Sequence, residues 1–304
     1  MYYRIGRKNL ALTVFVPYDC KNTCRFCASK RSYKEKKSDP GKVAESMKRV
    51  LYRTALPIKD VVFTGGEPME DVNALKNLVK LVPKRMNIYI NTTFIRKNME
   101  EFVEMVNTCW AIKGVNISRH EETFERDEYM LDGIAKDEDI QRIKKPVRIN
   151  CVEKGQNLQK IVERWEGKGV ELSIRRDFRK PMTDTELHSP YDHTALALIE
   201  SGFKFVGKTQ CNVCDTTYFI KENGMRVQYH KGLMRTSIED GFALEINDLI
   251  IDQAGDIAYD WEGCDTDRMK NIMRNSEKLY DEWDNHGQYE PGKYEPSTCG
   301  GAGC

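Results

Sequence analysis

Cys20, Cys24 and Cys27 stand in the run Cys-Lys-Asn-Thr-Cys-Arg-Phe-Cys. Three thiolates at that spacing wrap three corners of an iron-sulfur cube and leave the fourth iron open, which implies chemistry at the metal as well as electron storage. Thiolates also suit zinc, but a tetrahedral zinc site takes four protein ligands, usually as paired Cys-x-x-Cys knuckles. No fourth Cys or His lies near this loop, and the first histidine of the chain is His120. Iron is therefore the better fit. A second stretch, Gly65-Gly66-Glu67-Pro68, has the makings of a ligand cradle. Its glycines remove side chains so that backbone approaches a ligand closely, and its proline stiffens the exit. Glu67 and the exposed backbone suit an ammonium group. Taken alone, the four residues are only a strand-to-helix turn.

The elements that position these motifs are legible in the pattern of apolar residues. Short β-rich runs cover Leu10 to Val16, Val61 to Thr64, Asn87 to Asn91, Gly114 to Ser118, Val147 to Val152 and Val170 to Arg175. Helical spacing separates them at Asp39 to Arg53, Val72 to Val82, Met99 to Asn107, Asp127 to Ile143 and Leu158 to Lys168. Strands alternating with helices build a parallel sheet with crossovers. The pattern predicts an α/β fold, a partial six-unit version of the TIM-like barrel whose full form has eight units and ~250 residues. In such barrels chemistry sits at the carboxyl ends of the strands. The cysteine run follows the first strand and Gly65-Gly66-Glu67-Pro68 the second, so both fall on one mouth.

Composition sets the frame. The chain has 304 residues, 40% hydrophobic and 31% charged, with a formal charge of +1, enough for one barrel plus an appendage. Near-neutral charge gives no reason to expect a nucleic-acid partner, although Lys21, Arg25, Lys30, Arg31, Lys34, Lys36 and Lys37 make the cysteine loop locally basic. No apolar run approaches a membrane span, and the first residues lack the apolar region of a signal peptide. A cytoplasmic protein is expected, its ten cysteines reduced, with the clustered ones as metal ligands. Cys109 and Cys151 read as small core residues.

Beyond residue 185 the β/α rhythm stops. A helix from Tyr191 to Glu200 leads to Cys211-Asn-Val-Cys214, a hairpin around Asn223-Gly224, another around Gln253 to Asp256, then Cys264 and a helix from Asp265 to Trp283. The expected division is a barrel over 1–185, an extension over 186–284 and a glycine- and cysteine-containing tail over 285–304. Three readings of the later cysteines stand open. Cys211, Cys214 and Cys264 hold a second cluster, with or without a tail cysteine; or Cys211, Cys214, Cys299 and Cys304 hold zinc; or they bind no metal. The tail's glycines suit a disordered end, an insertion into the barrel mouth, or a source of metal ligands.

Together, Cys-x-x-x-Cys-x-aromatic-Cys after the first strand and Gly-Gly-Glu-Pro after the second resemble the radical SAM superfamily, over roughly residues 8 to 180. The resemblance implies that Cys20, Cys24 and Cys27 ligate a 4Fe-4S cluster whose fourth iron is chelated by S-adenosylmethionine. One electron, from a donor such as flavodoxin or ferredoxin, then yields a 5′-deoxyadenosyl radical that abstracts hydrogen from substrate. Phe26 would lie against the adenine, and Gly65, Gly66, Glu67 and Pro68 would hold the methionyl amine. The later hairpins and helix resemble, more loosely, the twitch and SPASM extensions that carry an auxiliary 4Fe-4S cluster, though Cys264 stands alone until Cys299.

Period-two alternation turns Asn116 with Ser118, Arg148 with Asn150, and Ser173 with Arg175 to one face. With the apolar face against helices, these point into the barrel. Ser118 and Asn116 are the leading cofactor contacts, followed by Arg148, Asn150 and Arg175, with Asn91 weaker. A buried arginine needs a partner, either a carboxylate of cofactor or substrate or a barrel carboxylate such as Glu153 or Glu171. The likeness of the extension to those of peptide-modifying members makes a peptide or protein residue the first substrate reading. The alternatives are a nucleotide, as in the GTP cyclases of the superfamily, some other small molecule, and, from a different class, a non-catalytic electron carrier. A carrier would ordinarily saturate its cluster with four cysteines.

Overall fold

A computed structural model describes residues 2–5, 10–16, 20, 22, 24, 27, 36–120, 133–153, 158–177, 192–208, 216–231, 237–239, 243–261 and 265–285. Phe26, Cys211, Cys214, Cys264, Cys299 and Cys304 lie outside those residues.

In chain order the first half comprises β1 (Tyr2–Ile5), β2 (Leu10–Val16), α1 (Pro40–Tyr52), β3 (Ile58–Gly65), a 3-10 turn (Pro68–Asp71), α2 (Val72–Val79), β4 (Asn87–Thr92), α3 (Met99–Thr108), β5 (Ile112–Ser118), α4 (Asp137–Ile140), β6 (Val147–Glu153), α5 (Leu158–Trp165) and β7 (Glu171–Arg176). Then follow α6 (His193–Glu200), β8 (Lys204–Lys208), β9 (Thr216–Ile220), β10 (Arg226–His230), β11 (Ser237–Glu239), β12 (Ala243–Ile246), β13 (Asp248–Ile251), β14 (Ile257–Ala258) and α7 (Thr266–Asn285).

Strands β2 to β7 pair in chain order and all in parallel, as the alternating pattern predicts. The helices Pro40–Tyr52, Val72–Val79 and His193–Glu200 form where a capping side chain and apolar spacing coincide. Before α1, Asp39 accepts a hydrogen bond from Lys42 N at 3.0 Å, Pro40 opens the helix, and Val43, Met47, Val50 and Leu51 form its buried stripe. One face of the sheet, with Leu12, Val14, Phe63, Ile90, Ile117, Ile149 and Ile174, packs in the main core with those helix stripes. The other face is the lumen. Cys151 is buried in the core and Cys109 packs half-buried against it, as small residues.

Two departures from expectation have physical causes. Of the helix expected over Asp127 to Ile143, residues 127–132 lie outside the described residues, and over 133–143 helix covers only Asp137–Ile140. Residues before it serve as a ladder instead. Ala135 N donates to Phe94 O at 2.8 Å, Arg96 N donates to Gly133 O at 2.8 Å, and Ile134 bridges Ile95.

The later hairpins also do more than form an appendage. β9 and β10 pair around the Asn223-Gly224 turn, and β10 then lies parallel to β7. β13, hairpinned to β14, lies parallel to β2. One 11-stranded sheet therefore runs β14-β13-β2-β3-β4-β5-β6-β7-β10-β9-β8, with a separate 3-stranded sheet of β1, β12 and β11. The barrel strands are flanked on both edges by strands from beyond residue 185.

Candidate active site

The cysteine loop leaves the carboxyl end of β2, and the glycine turn leaves the carboxyl end of β3, its register neighbour, with Val16 opposite Gly65. Their approach is as close as backbone allows. Gly65 has φ +108, and a Cβ there would stand 2.8 Å from Phe15 Cα and Cβ. Only glycine fits both the dihedral and the contact. Cys20, Cys24 and Cys27 are half-buried thiols outside any disulfide, and Cys27 N donates to Cys24 O at 3.1 Å, closing a turn between two of them. Among the described residues no three His, Cys, Asp or Glu side chains converge as a metal site. The donor set itself, three soft thiols on one loop and no imidazole or carboxylate between them, fits an iron-sulfur cluster.

Glu67 is buried, and both of its oxygens are engaged by the protein. Oε1 accepts from Thr92 Oγ1 and from Met69 N at 3.0 Å; Oε2 accepts from Thr93 N at 2.7 Å and Thr93 Oγ1 at 2.5 Å. Burial raises its pKa above the ordinary carboxylate value, with the Thr92 and Thr93 donors acting in the opposite direction. The side chain thus clamps the glycine turn to the end of β4, and what the turn presents outward is its backbone. Asn98, itself at φ +58, adds a second brace by donating to Met69 O at 2.9 Å and Glu70 O at 3.2 Å. Between the braces Phe94 is held at φ +55, fully buried, an uncommon conformation for a bulky residue and a sign that its surroundings over-determine it.

Sequence reasoning missed these braces. It also missed Arg119, whose buried guanidinium donates to the carbonyls of Thr93, Ser118 and Ala135. An arginine next to Ser118 at a strand end was the available signal.

The lumen brings together most of the polar residues expected there. Asn116 Nδ2 donates to Asn91 Oδ1 at 2.7 Å. Across the strands the register aligns Asn91, Asn116, Arg148 and Glu171 in one row, and Ser118, Asn150, Ser173 and Gln228 in the next. Arg148 takes its barrel-carboxylate reading, with Nη2 3.3 Å from Glu171 Oε2. Arg175, expected inside, is exposed; it stands at the rim opposite His230. Gln228 and His230 were not foreseen, because nothing local says that β10 joins β7. His230 Nδ1 shares a hydrogen bond of 2.9 Å with Thr216 Oγ1. Burial, and then the charges of Arg175 and Arg148, hold its pKa well below 6.5, so the ring is neutral. On this face Asn150 Oδ1, Ser173 Oγ, Gln228 Oε1, His230 Nε2 and Arg148 Nε are buried without a hydrogen-bond partner. Each such group ordinarily costs about 1–3 kcal/mol.

Known proteins resemble parts of this chain. Residues 7–127 match the family described as "4Fe-4S single cluster domain". The matched stretch holds Cys20, Cys24 and Cys27 and agrees with the 4Fe-4S cluster expected there. No curated protein matches the sequence. Among solved structures, Streptococcus suis SuiB is similar at 16% identity and TM-score 0.49, covering 82% of this chain and 59% of that one. SuiB bound to S-adenosylmethionine is similar at 17% and 0.45, covering 63% and 46%. The protein titled anSMEcpe, with bound AdoMet and Cp18Cys peptide, is similar at 19% and 0.39, covering 55% and 50%. The chain thus spans about half the length of these structures. Among the described residues no helix is long and apolar enough to cross a membrane.

Proposed function

We propose that this protein is a radical SAM enzyme that modifies a residue of a peptide or protein. Bound at Cys20, Cys24 and Cys27, a 4Fe-4S cluster with S-adenosylmethionine supplies reductive cleavage of the sulfonium to methionine and a hydrogen-abstracting 5′-deoxyadenosyl radical. The chain's own residues supply placement. Backbone at Gly65 and Gly66, fixed from behind by Glu67 and Pro68, receives the methionyl ammonium; Phe26 lies against the adenine; Ser118 and Asn116, with Asn91 behind, meet the ribose and methionyl groups; Asn150 and Arg175 stand further toward the substrate. Arg148 orients that wall from its ion pair with Glu171. The lumen holds the substrate C–H bond near attack distance and excludes water. A second cluster at Cys211, Cys214 and Cys264, in an extension over 186–284, and a cytoplasmic flavodoxin or ferredoxin as electron donor complete the reading.

One observation carries it: the three-thiol loop and the glycine turn leave adjacent parallel strands at the same barrel mouth, packed so closely that Gly65 tolerates no side chain. The test is anaerobic reconstitution with iron and sulfide, reduction by dithionite and addition of S-adenosylmethionine, followed by chromatography. Wild type forms 5′-deoxyadenosine; the Cys20/Cys24/Cys27→Ala variant does not. Equal yields from the two proteins refute the reading. If a second four-iron cluster is present, about four irons per chain remain in the variant.

A further inference from the structure

The row formed by Asn150, Ser173 and Gln228, with His230 one step nearer the mouth, is unlike the rest of the sheet. Its neighbours on the core face pack in the main core, and the one hydroxyl among them, on Tyr229, donates to Asp192 Oδ2 at 2.8 Å. In the row itself Ser173 is fully buried and Gln228 is 8% exposed, yet Asn150 Oδ1, Ser173 Oγ, Gln228 Oε1 and His230 Nε2 all lack a hydrogen-bond partner. Buried polar atoms in folded proteins are ordinarily satisfied, and the exceptions call for a cause. Here the exceptions are adjacent, on strands paired in register, and share the lumen face. Such a group is the imprint of a partner that completes it.

The chemistry of that partner follows from the groups it must satisfy. Asn150 and Gln228 are carboxamides, each with an acceptor and donors, and Ser173 is a hydroxyl that does either. The four groups are themselves uncharged, His230 being held neutral; of the arginines beside them, Arg148 is ion-paired with Glu171 and Arg175 is exposed at the rim. A neutral group with its own N–H and C=O is the complement. Gln228 and His230 are two residues apart on β10, a rise of about 6.8 Å, which is also the two-residue repeat of an extended peptide. A peptide laid along β10 therefore offers equivalent groups to both, whereas a nucleobase offers one rigid edge. Resting on the radical reading above, we propose that Asn150, Ser173, Gln228 and His230 recognise the backbone amides of an extended peptide substrate.

The test uses the full chain, reconstituted and supplied with S-adenosylmethionine, in equilibrium dialysis against N-acetylated, C-amidated pentapeptides covering every residue type, mixed with the four ribonucleosides. Retained species are identified by mass spectrometry. Wild type retains peptides and no nucleoside. In a Ser173→Ala, Gln228→Met double variant retention falls about tenfold, while the thermal midpoint is unchanged or higher, because atoms that lacked a partner have been removed. A merely structural role would lower that midpoint. Absence of peptide retention by wild type, retention of nucleosides in place of peptides, equal retention by the variant, or a lowered midpoint overturns the inference. Assay of 5′-deoxyadenosine on the same wild-type sample separates the two readings. If it forms without peptide retention, this inference alone fails; peptide retention without its formation sinks the radical reading alone.

Discussion

Gly65 and Glu67 show how differently two residues of one motif act. Glu67 invites an ionic role, yet both of its oxygens accept hydrogen bonds from Thr92, Thr93 and Met69. Its carboxylate is structural, and a ligand meets the backbone that it holds. Gly65 is the stricter position, as a comparison with Gly167 makes measurable. Both have positive φ, +108 and +74, but a Cβ at Gly167 would meet nothing within 4 Å whereas one at Gly65 would meet Phe15 at 2.8 Å. Gly167→Ala should therefore cost only backbone strain, about 1–2 kcal/mol. Gly65→Ala adds overpacking, about 1–3 kcal/mol more, and displaces the strand that leads into the cysteine loop. Urea denaturation of both variants checks the order; equal losses would show that β2 yields at no cost.

At the scale of elements, the hairpin between β13 and β14 supports the exit of the cysteine loop. Asp252, 1% exposed, accepts from Ala254 N at 2.9 Å, from Asp256 N at 3.0 Å and from Lys36 Nζ. Asp39 N, at the cap of α1, donates to Gln253 O at 2.8 Å. Asp252→Ala should destabilise by about 1–3 kcal/mol and speed hydrogen exchange at Asp39. Lys36→Met, which leaves both backbone hydrogen bonds to Asp252 intact, should do less. Reversal of that order in exchange mass spectrometry would assign the support to the ion pair. This brace marks the limit of what was legible in the sequence. The strand at Leu10–Val16 and the helix after Asp39 could be read because alternation, helical spacing and capping are local. That β13 pairs with β2 and β10 with β7 could not, since a strand's period names its faces and not its neighbour. For the same reason Ser118, Asn116 and Asn150 were legible as lumen residues, whereas Gln228 and His230 were not.

For the molecule as a whole, these pairings bear on where the chain can be divided. Sequence rhythm suggests a barrel ending at residue 185, but the partner of β2 on its outer edge is β13, and that of β7 is β10. Val227, Tyr229, Leu249, Ile251, Met269, Ile272 and Met273 share one core cluster with the barrel's own residues. At about 1.5–3 kcal/mol for each side chain, those residues contribute roughly 10–20 kcal/mol. That equals or exceeds the roughly 5–15 kcal/mol by which whole domains are stable. α7 adds Ser276 O, which accepts from Ala55 N at 3.1 Å, and Glu277, paired with Arg49. A fragment of residues 1–185 should therefore fail to fold alone, exposing two unpaired edges and recovering mainly as aggregate. Co-expression with residues 186–304 should restore soluble, co-purifying material. A monomeric 1–185 fragment with a cooperative melt would show instead that the edge strands are accessories, and that the cysteine loop is held by the first half of the chain alone.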